Sequence, residues 1–307
     1  MAGKQDGATW NRRIEGCGMT LSVLTKLAEA NRPEQFALLE RVAERLSSSD
    51  AVTALLVRGS LARGTADRLS DIDFVVGVED SRFEDYVSVL DALATTELGS
   101  ILPGWRDSIV GHMGGLGFVY LIGWAGQLQQ LDLYVAPASC IGQVQEHTVC
   151  QTIFTRDRTA DYKPKAQTTR FVSDETNRPR SCTDLLVEVM VIGYLIRKRI
   201  SRGQQLIAYS EVFLFNTAAK NLIKAALAPR STYYGWYQLE AEVGVTPIGR
   251  ECLAHLMALI SAPGIPTVAS LTDGLNRVFA VAEMATPEAI GTIRDAIDAY
   301  RHYLELP

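Results

Sequence analysis

The sequence predicts an α+β fold, in which an N-terminal mixed-sheet domain is followed by a C-terminal all-helical bundle domain. Short apolar runs rich in β-branched residues characterise the first half, whereas long segments with apolar residues at helical spacing fill the second half. A polar stretch at residues 157–180, which contains two prolines, separates the two patterns. Since 307 residues are enough for two domains, we place them at residues 1–160 and 161–307.

The first domain is predicted to combine helices with short strands. Its second helix carries Leu39, Val42 and Leu46 on one face, and its first strand ends at Gly59-Ser60. The polar stretch that ends this half shows no periodicity and is predicted to be a linker or an irregular crossover. The predicted elements are helices at residues 20–28, 34–46 and 86–94, single strands at 51–58 and 71–78, and a strand pair at 118–124 and 128–135.

The second domain is predicted to consist of long helices. The last one begins with Thr286 as N-cap and Pro287 at the first helical position, and Ile290, Ile297 and Leu304 belong to its apolar stripe. Such a stripe is typical of core packing rather than of a cofactor site. The predicted helices cover residues 183–202, 208–228, 249–261, 268–283 and 286–304.

Composition excludes several classes of protein. The formal charge of −5 argues against a nucleic-acid substrate, because polynucleotide binding depends on a basic surface. The five cysteines show no CxxC spacing and the four histidines no HExxH motif, which argues against a disulfide framework and a zinc site. No segment has the length and apolarity of a signal peptide or a membrane span, so we expect a cytoplasmic protein without membrane contact.

Two carboxylates stand together in the strand at residues 71–78. Alternate side chains of a strand share a face, so Asp71 and Asp73 point one way, while Ile72, Phe74 and Val76 point the other. Two like charges at close range are unfavourable unless a cation lies between them. Carboxylate oxygens without a nearby His or Cys favour Mg²⁺, and the pair therefore predicts a magnesium site.

The residues before this strand are suited to phosphate. Gly59 lets the backbone turn and approach a ligand closely, and Ser60 adds a hydroxyl donor. Arg63 can donate to phosphate oxygens in a forked geometry. A third acid, Asp132, lies on a later strand with leucines on its opposite face. If that strand neighbours residues 71–78, Asp132 can complete the metal site or accept a proton from an attacking hydroxyl.

This combination resembles the nucleotidyltransferase superfamily typified by DNA polymerase β. The shared signature is a Gly-Ser turn, about ten residues, an Asp-x-Asp strand and a third carboxylate on a later strand. The resemblance implies a nucleotidyltransferase domain in the first half, with an NTP, ATP in our expectation, as co-substrate. The matching residues are Gly59, Ser60, Arg63, Gly64, Asp71, Asp73 and Asp132.

The helical half resembles the antibiotic nucleotidyltransferases, of the lincosamide type first and the aminoglycoside type next. The shared features are Arg178-Pro179 before the first long helix, the basic end of that helix, and the end of the next. The resemblance implies an acceptor-binding domain, and it gives Lys220, or Lys224 as the alternative, a role at the triphosphate. A solvated helix face is the other interpretation of these lysines.

Two acids and an aromatic cluster in the helical half are further candidates. Glu188 is either a carboxylate near the acceptor, and then a candidate general base beside Asp132, or it lies on the exposed stripe of an otherwise buried helix or pairs with a buried Arg. Asp184 lies one turn earlier and either joins Glu188 or is a first-turn acid favoured by the helix dipole. The aromatic residues at 233–237 either stack on an acceptor or base, or anchor a loop to the bundle.

These observations predict an Mg²⁺-dependent enzyme that moves a nucleoside monophosphate from an NTP to a hydroxyl of a small-molecule antibiotic and releases pyrophosphate. Such an enzyme confers resistance, and we expect it to be a monomer or a homodimer. The alternatives are AMP transfer to a protein or tRNA, and an inactive nucleotide-binding regulatory module. AMP-transferring antitoxins, which resemble this module, are shorter, and the complete set of acids with Ser60 and Arg63 argues against an inactive one.

Overall fold

The computed structural model describes residues 33–107, 113–156, 166–262 and 264–306. The chain divides into two units, Met1–Arg178 and Pro179–Pro307. The boundary lies later than the one predicted after residue 160, because a helix within the predicted linker belongs to the first unit. The predicted helix at residues 20–28 lies outside the described residues.

The first unit is built around one six-stranded sheet with the strand order β3-β4-β5-β2-β1-β6. Strands β2 and β5 are parallel, and the other neighbouring pairs are antiparallel, so the predicted mixed sheet is confirmed. The elements are α1 (Pro33–Ser47), β1 (Val52–Arg58), α2 (Gly59–Arg63), β2 (Ile72–Val78), α3 (Phe83–Leu93), β3 (Trp105–Asp107), β4 (Leu116–Trp124), β5 (Gln127–Pro137), α4 (Ile141–His147), β6 (Cys150–Thr155) and α5 (Ala166–Thr176).

Strand alternation distributes the apolar residues of β2 between two cores. Phe74 and Val76 face the larger core, which includes residues of α1 and α3. Val75 faces the smaller core, which Tyr134 and Val144 of α4 share. Both faces of the central strands are thus buried except near residue 73, and this leaves the acidic start of β2 as the accessible part of the strand.

Five elements of this unit, α2, β3, α4, β6 and α5, were not predicted. The supposed linker contains α5, whose Thr168 and Val172 are buried and whose Glu175 pairs with Arg106. Few apolar residues mark this helix, and its tertiary contacts compensate for the weak pattern. Strands β3 and β6 and helix α4 were not predicted, because each is short and β6 gains its partner only by pairing with β1.

The second unit confirms the predicted helical domain. Its described residues form helices α6 (Cys182–Ser201), α7 (Gln205–Leu227), a 3₁₀ helix (Pro229–Tyr234), α8 (Leu239–Val243), α9 (Pro247–Ile260), α10 (Val268–Ala285), α11 (Pro287–Thr292) and α12 (Arg294–Leu304). Tyr300 is completely buried, and its hydroxyl donates a hydrogen bond of 2.7 Å to the Met190 carbonyl. No described helix of the chain is long and apolar enough to cross a membrane.

The predicted helix at residues 286–304 is wrong as a single helix. The chain leaves helical geometry at Ile293, where φ is −125° and ψ is 28°. Gly291 and Thr292 precede this residue, and glycine and β-branched residues are weak helix formers. Thr286 occupies the predicted N-cap position, but its side chain makes no cap hydrogen bond.

Candidate active site

The site begins with the pairing of β2 and β5. The two strands are parallel, and Asp73 is the direct partner of Asp132 in the register. Adjacent strands lie about 4.8 Å apart, so the two carboxylates emerge next to each other from one face of the sheet. Asp71 lies just before β2 and is half-buried like the other two. The neighbouring strands that the sequence interpretation required are therefore present.

Gly59 fixes the position of the Asp73 carboxylate. Its φ is +69°, in the left-handed region that residues with a side chain rarely adopt. A β-carbon at this position would lie 2.9 Å from the carboxyl carbon of Asp73, and closer still to Oδ2. The backbone between β1 and α2 therefore passes directly under Asp73, and only a glycine leaves room for that carboxylate.

Ser60 and Arg63 lie in the short helix α2 that follows this glycine. Ser60 is half-buried and Arg63 is exposed. The helix ends at Gly64 with φ of 69°, and the Thr65 amide donates to the Ser60 carbonyl over 3.0 Å. Gln151 of β6 donates from Nε2 to the Ala62 carbonyl over 2.7 Å. The phosphate-binding candidates are thus held on a turn that is fixed at both ends.

A buried glutamine secures the loop between α2 and β2. Gln35 of α1 is 1% exposed, and its Nε2 donates to the carbonyls of Asp67 and Ser70 over 2.7 and 2.9 Å. The Asp67 amide in turn donates to Ser70 Oγ over 2.8 Å. These bonds satisfy backbone groups that burial would otherwise leave costly, and they fix the loop that leads into Asp71. Sequence reasoning missed Gln35, although a Gln among the apolar positions of α1 was a visible signal.

Arg58 is the charged residue of this site that sequence reasoning missed. It is the last residue of β1, and its Nε lies 3.7 Å from Oδ1 of Asp73, with both side chains 17% exposed. This Nε is buried and makes no hydrogen bond to the described residues. The guanidinium therefore places a positive charge beside Asp73, while its Nε–H has no hydrogen-bond acceptor among the described residues. A charged residue that ends an apolar strand directly before Gly59 could have indicated it.

Asp132 has its own supporting contacts. Gln130 is 5% exposed, and its Nε2 donates to Oδ1 of Asp132 over 2.8 Å. Tyr134 lies on the same face of β5 and is 1% exposed. Burial raises the pKa of its hydroxyl, so Tyr134 stays neutral near pH 7. Asp132 is therefore half-buried, and its neighbours on the same face of β5 are the buried polar side chains of Gln130 and Tyr134.

The donor atoms at this site fit a divalent ion of the magnesium type. Three carboxylates on or next to two adjacent strands offer only oxygen ligands, which Mg²⁺ prefers, and it bonds them at about 2.1 Å. In the described part of the chain, no three His, Cys, Asp or Glu side chains are close enough as they stand to form a metal site. The oxygen ligands that the three carboxylates offer, rather than a complete coordination shell, therefore indicate a magnesium site.

The two candidate lysines of α7 are buried in the helical unit. Lys224 is 1% exposed, donates to the carbonyls of Ser231 and Tyr237 over 3.0 and 3.1 Å, and lies 3.6 Å from Glu242. The two carbonyls each accept one of its N–H groups, and the Glu242 carboxylate forms an ion pair with the ammonium group. Lys224 therefore holds the following loop and is buried away from solvent.

Lys220 is 4% exposed, and its Nζ lies 5.4 Å from the ring centroid of Trp236. It also donates to the side-chain oxygen of its neighbour Asn221. Burial, and then the nearby charge of Lys224, lower the pKa of its ammonium group. The solvated helix face, which was the alternative interpretation of these lysines, does not describe either of them.

The two candidate acids of α6 serve the helix itself. Glu188 is 9% exposed and pairs with Arg180, as the alternative of a paired acid requires, but the arginine is about half-exposed rather than buried. Asp184 forms a capping box with Ser181, in which the Ser181 amide donates to Asp184 Oδ2 over 2.8 Å and the Asp184 amide to Ser181 Oγ over 3.1 Å. Both contacts lie within the helical unit and stabilise the start of α6.

Comparisons with known proteins agree with the chemistry of the first unit. Residues 39–110 match the family model described as nucleotidyltransferase domain, and this range includes Gly59, Ser60, Asp71 and Asp73 but ends before Asp132. No curated protein matches the chain significantly.

Several solved structures are similar to the chain at low identity. A CCA-adding enzyme of Thermotoga maritima, solved with tRNA, is 15% identical over 92% of this chain and 72% of that chain, with a TM-score of 0.27. A CCA-adding enzyme solved with ATP is 15% identical over 94% and 73%, with a TM-score of 0.26. A nucleotidyltransferase-like protein of Exiguobacterium sibiricum is 13% identical over 89% and 90%, with a TM-score of 0.19. Scores at this level carry no argument about the acceptor.

Proposed function

The chain carries a nucleotidyltransferase domain at residues 39–110, and from that premise we propose that it transfers AMP from ATP to a hydroxyl of a small-molecule antibiotic. The observation that carries the proposal is the register of the two parallel strands. It sets Asp73 beside Asp132 on the face where Gly59 leaves room for a carboxylate. A site of this kind needs an acceptor hydroxyl, an NTP and a cation, and the product besides the modified acceptor is pyrophosphate.

The roles of the residues follow from their positions. Asp71 and Asp73 hold the ion, which supplies positive charge to the phosphates when it is bound. Asp132 either completes that set or accepts the proton of the acceptor hydroxyl as it attacks the α-phosphorus. Ser60 and Arg63 donate hydrogen bonds to phosphate oxygens. Arg58 keeps the Asp73 carboxylate in place, and positioning together with electrostatics accounts for most of the rate.

The proposal does not use the four candidates of the helical unit at the reacting atoms. Lys220 and Lys224 are buried, and Glu188 and Asp184 are engaged with Arg180 and Ser181. Asp132 is therefore preferred to Glu188 as the general base.

The charge of the helical unit favours a small acceptor over tRNA. Residues 179–307 carry twelve basic and twelve acidic side chains. Two of the four basic residues at the end of α6 are not available to a ligand, because Lys198 is 3% exposed and Arg199 pairs with Glu211. A surface that binds polynucleotide usually has a clear excess of positive charge. We therefore propose an antibiotic, of the lincosamide or aminoglycoside type, as the acceptor.

The test is an incubation of the purified protein with ATP and Mg²⁺ and, separately, lincomycin, kanamycin and bulk tRNA. Mass spectrometry and release of pyrophosphate are the two readouts. We expect lincomycin or kanamycin to gain the mass of AMP with one pyrophosphate released for each product molecule. Transfer of AMP to tRNA would overturn the antibiotic proposal and support tRNA as the acceptor. ATP binding without turnover on any acceptor would favour the inactive module.

A further inference from the structure

The helical unit contains a cavity of about 490 Å³, which is within the usual size range for small-molecule sites. It lies between the loop that follows the 3₁₀ helix and the outer face of α9. Its walls are apolar for the most part, and Glu240 is the one charged side chain among the described residues that line it. The residues that carry the argument are Trp236, Tyr237, Glu240, Leu253, Met257 and Ile260.

Four of the large apolar side chains at this cavity are exposed to solvent. Tyr237 is 81% exposed and Met257 52%, and Trp236 and Ile260 are about two-fifths exposed. Contiguous apolar side chains of this size, beside a cavity, are typical of a binding site. Aromatic rings and methionine also adapt to an organic ligand at low entropic cost.

The loop that carries the two aromatic residues is anchored by the buried ammonium group of Lys224. Lys224 donates to the carbonyl of Tyr237 over 3.1 Å and to that of Ser231 over 3.0 Å. Burial of a lysine is expensive unless its charge and donors have partners, and here two carbonyls of residues 231 and 237 accept from Lys224 while the Glu242 carboxylate lies 3.6 Å away. The loop also contains Gln238 with φ of 58°, a strained conformation for a residue with a side chain. These contacts fix the backbone that carries the two aromatic side chains, and such fixed side chains are a feature of preorganised sites.

We propose that this cavity binds the apolar part of the acceptor, and that the acceptor is an amphipathic organic amine. The proposal rests on the proposed function and specifies its substrate class. The apolar side chains take an alkyl or ring segment, and the Glu240 carboxylate attracts the ammonium group. A lincosamide, which joins an alkyl-substituted ring to an amine, fits this description. An aminoglycoside, which is polar throughout, does not.

The experiment compares two matched variants on one helix. Met257→Asn removes an apolar side chain from the cavity without adding a charge, whereas Ile248→Asn makes the same kind of change at a similarly exposed position of α9 that does not line it. Binding of lincomycin, kanamycin and the simple amine 4-phenylbutylamine is measured by calorimetry without NTP. We expect Met257→Asn to weaken lincomycin and 4-phenylbutylamine by about tenfold, the effect of losing an apolar contact of about two methylene groups. Ile248→Asn leaves both affinities unchanged, and kanamycin is insensitive to either variant.

A second variant tests the charge. Glu240→Gln is expected to weaken 4-phenylbutylamine but not its neutral analogue 4-phenylbutanol. Equal affinities of wild type and Met257→Asn, or no binding of either amine to the wild type, overturn the cavity proposal. If lincomycin gains AMP with the same KM in Met257→Asn, the proposed function stands and the cavity does not. If the amine binds as expected while no antibiotic gains AMP, the cavity stands and the antibiotic acceptor does not.

Discussion

Among single residues, Gly59 constrains the site most tightly. Its spacing to Asp71 and Asp73 was visible in the sequence, because a Gly-Ser turn and a pair of alternating acids about ten residues later form a local pattern. What the sequence did not show is that the glycine makes room for Asp73 itself, which depends on the antiparallel pairing of β1 and β2.

Replacement of Gly59 by alanine tests this interpretation. Gly126 has a similar φ of 76°, but a β-carbon there would meet nothing within 4 Å. Both Gly→Ala variants therefore pay about 1–2 kcal/mol for the left-handed backbone, and only Gly59→Ala also displaces Asp73. We expect similar losses of thermal stability and a selective loss of pyrophosphate release in Gly59→Ala. Equal activities of the two variants would contradict the close approach.

Arg58 and Gln35 show why part of the site was not predictable. Each acts through a partner that is distant in sequence, Asp73 for the arginine and the loop carbonyls of Asp67 and Ser70 for the glutamine. No local pattern encodes such contacts, because they exist only after the sheet and α1 have packed.

Arg58→Gln tests the role of the guanidinium beside Asp73. Its removal leaves the carboxylates without this neighbouring cation, at a cost of about 1–3 kcal/mol, and added Mg²⁺ replaces the lost charge. We expect a lower Tm without metal and a larger rise of Tm on adding Mg²⁺ than in the wild type. Arg156→Gln breaks the 2.8 Å pair with Asp50 and is expected to lower Tm equally with and without Mg²⁺. A metal response in Arg58→Gln no larger than in the wild type would remove Arg58 from the site.

Among the elements, strands and long helices with clear periodicity were predicted within a few residues, and weak patterns were not. The strand at residues 51–58 corresponds to β1 (Val52–Arg58) and the helix at 183–202 to α6 (Cys182–Ser201). Helix α5 was not predicted because its sequence is polar and its stability comes from tertiary contacts. The break in the last predicted helix at Ile293 was not predicted because the apolar stripe of the sequence continues across it.

The capping box of α6 replaces the predicted acceptor contact of Asp184. Loss of an N-cap side chain costs about 0.5–2 kcal/mol. We therefore expect Ser181→Ala to lower stability by this amount and to leave kcat/KM for ATP and acceptor unchanged. Thr246→Ala removes the equivalent 3.0 Å bond at the start of α9 and is the control. A rise of the acceptor KM in Ser181→Ala alone would return Asp184 to the acceptor site.

For the whole molecule, the two-part architecture was predicted from the sequence and is confirmed, and residues 39–110 match the family model of a nucleotidyltransferase domain. The boundary between the units was harder to predict, because a polar segment with two prolines hides a helix that belongs to the first unit. In the helical unit, sequence patterns mainly report packing and do not identify an acceptor. The proposed acceptor class rests on the balanced charge of that unit and on its apolar cavity.

The central claim is that Asp73, beside Asp132, makes the first unit an active nucleotidyltransferase. The most direct test is Mg²⁺-dependent release of pyrophosphate from ATP in the presence of acceptor, for wild type, Asp73→Asn and the exposed control Asp85→Asn. The account predicts that Asp73→Asn loses a factor on the order of 10²–10³ or more while it still melts cooperatively, and that Asp85→Asn retains full activity. Turnover by Asp73→Asn at the wild-type rate would contradict it.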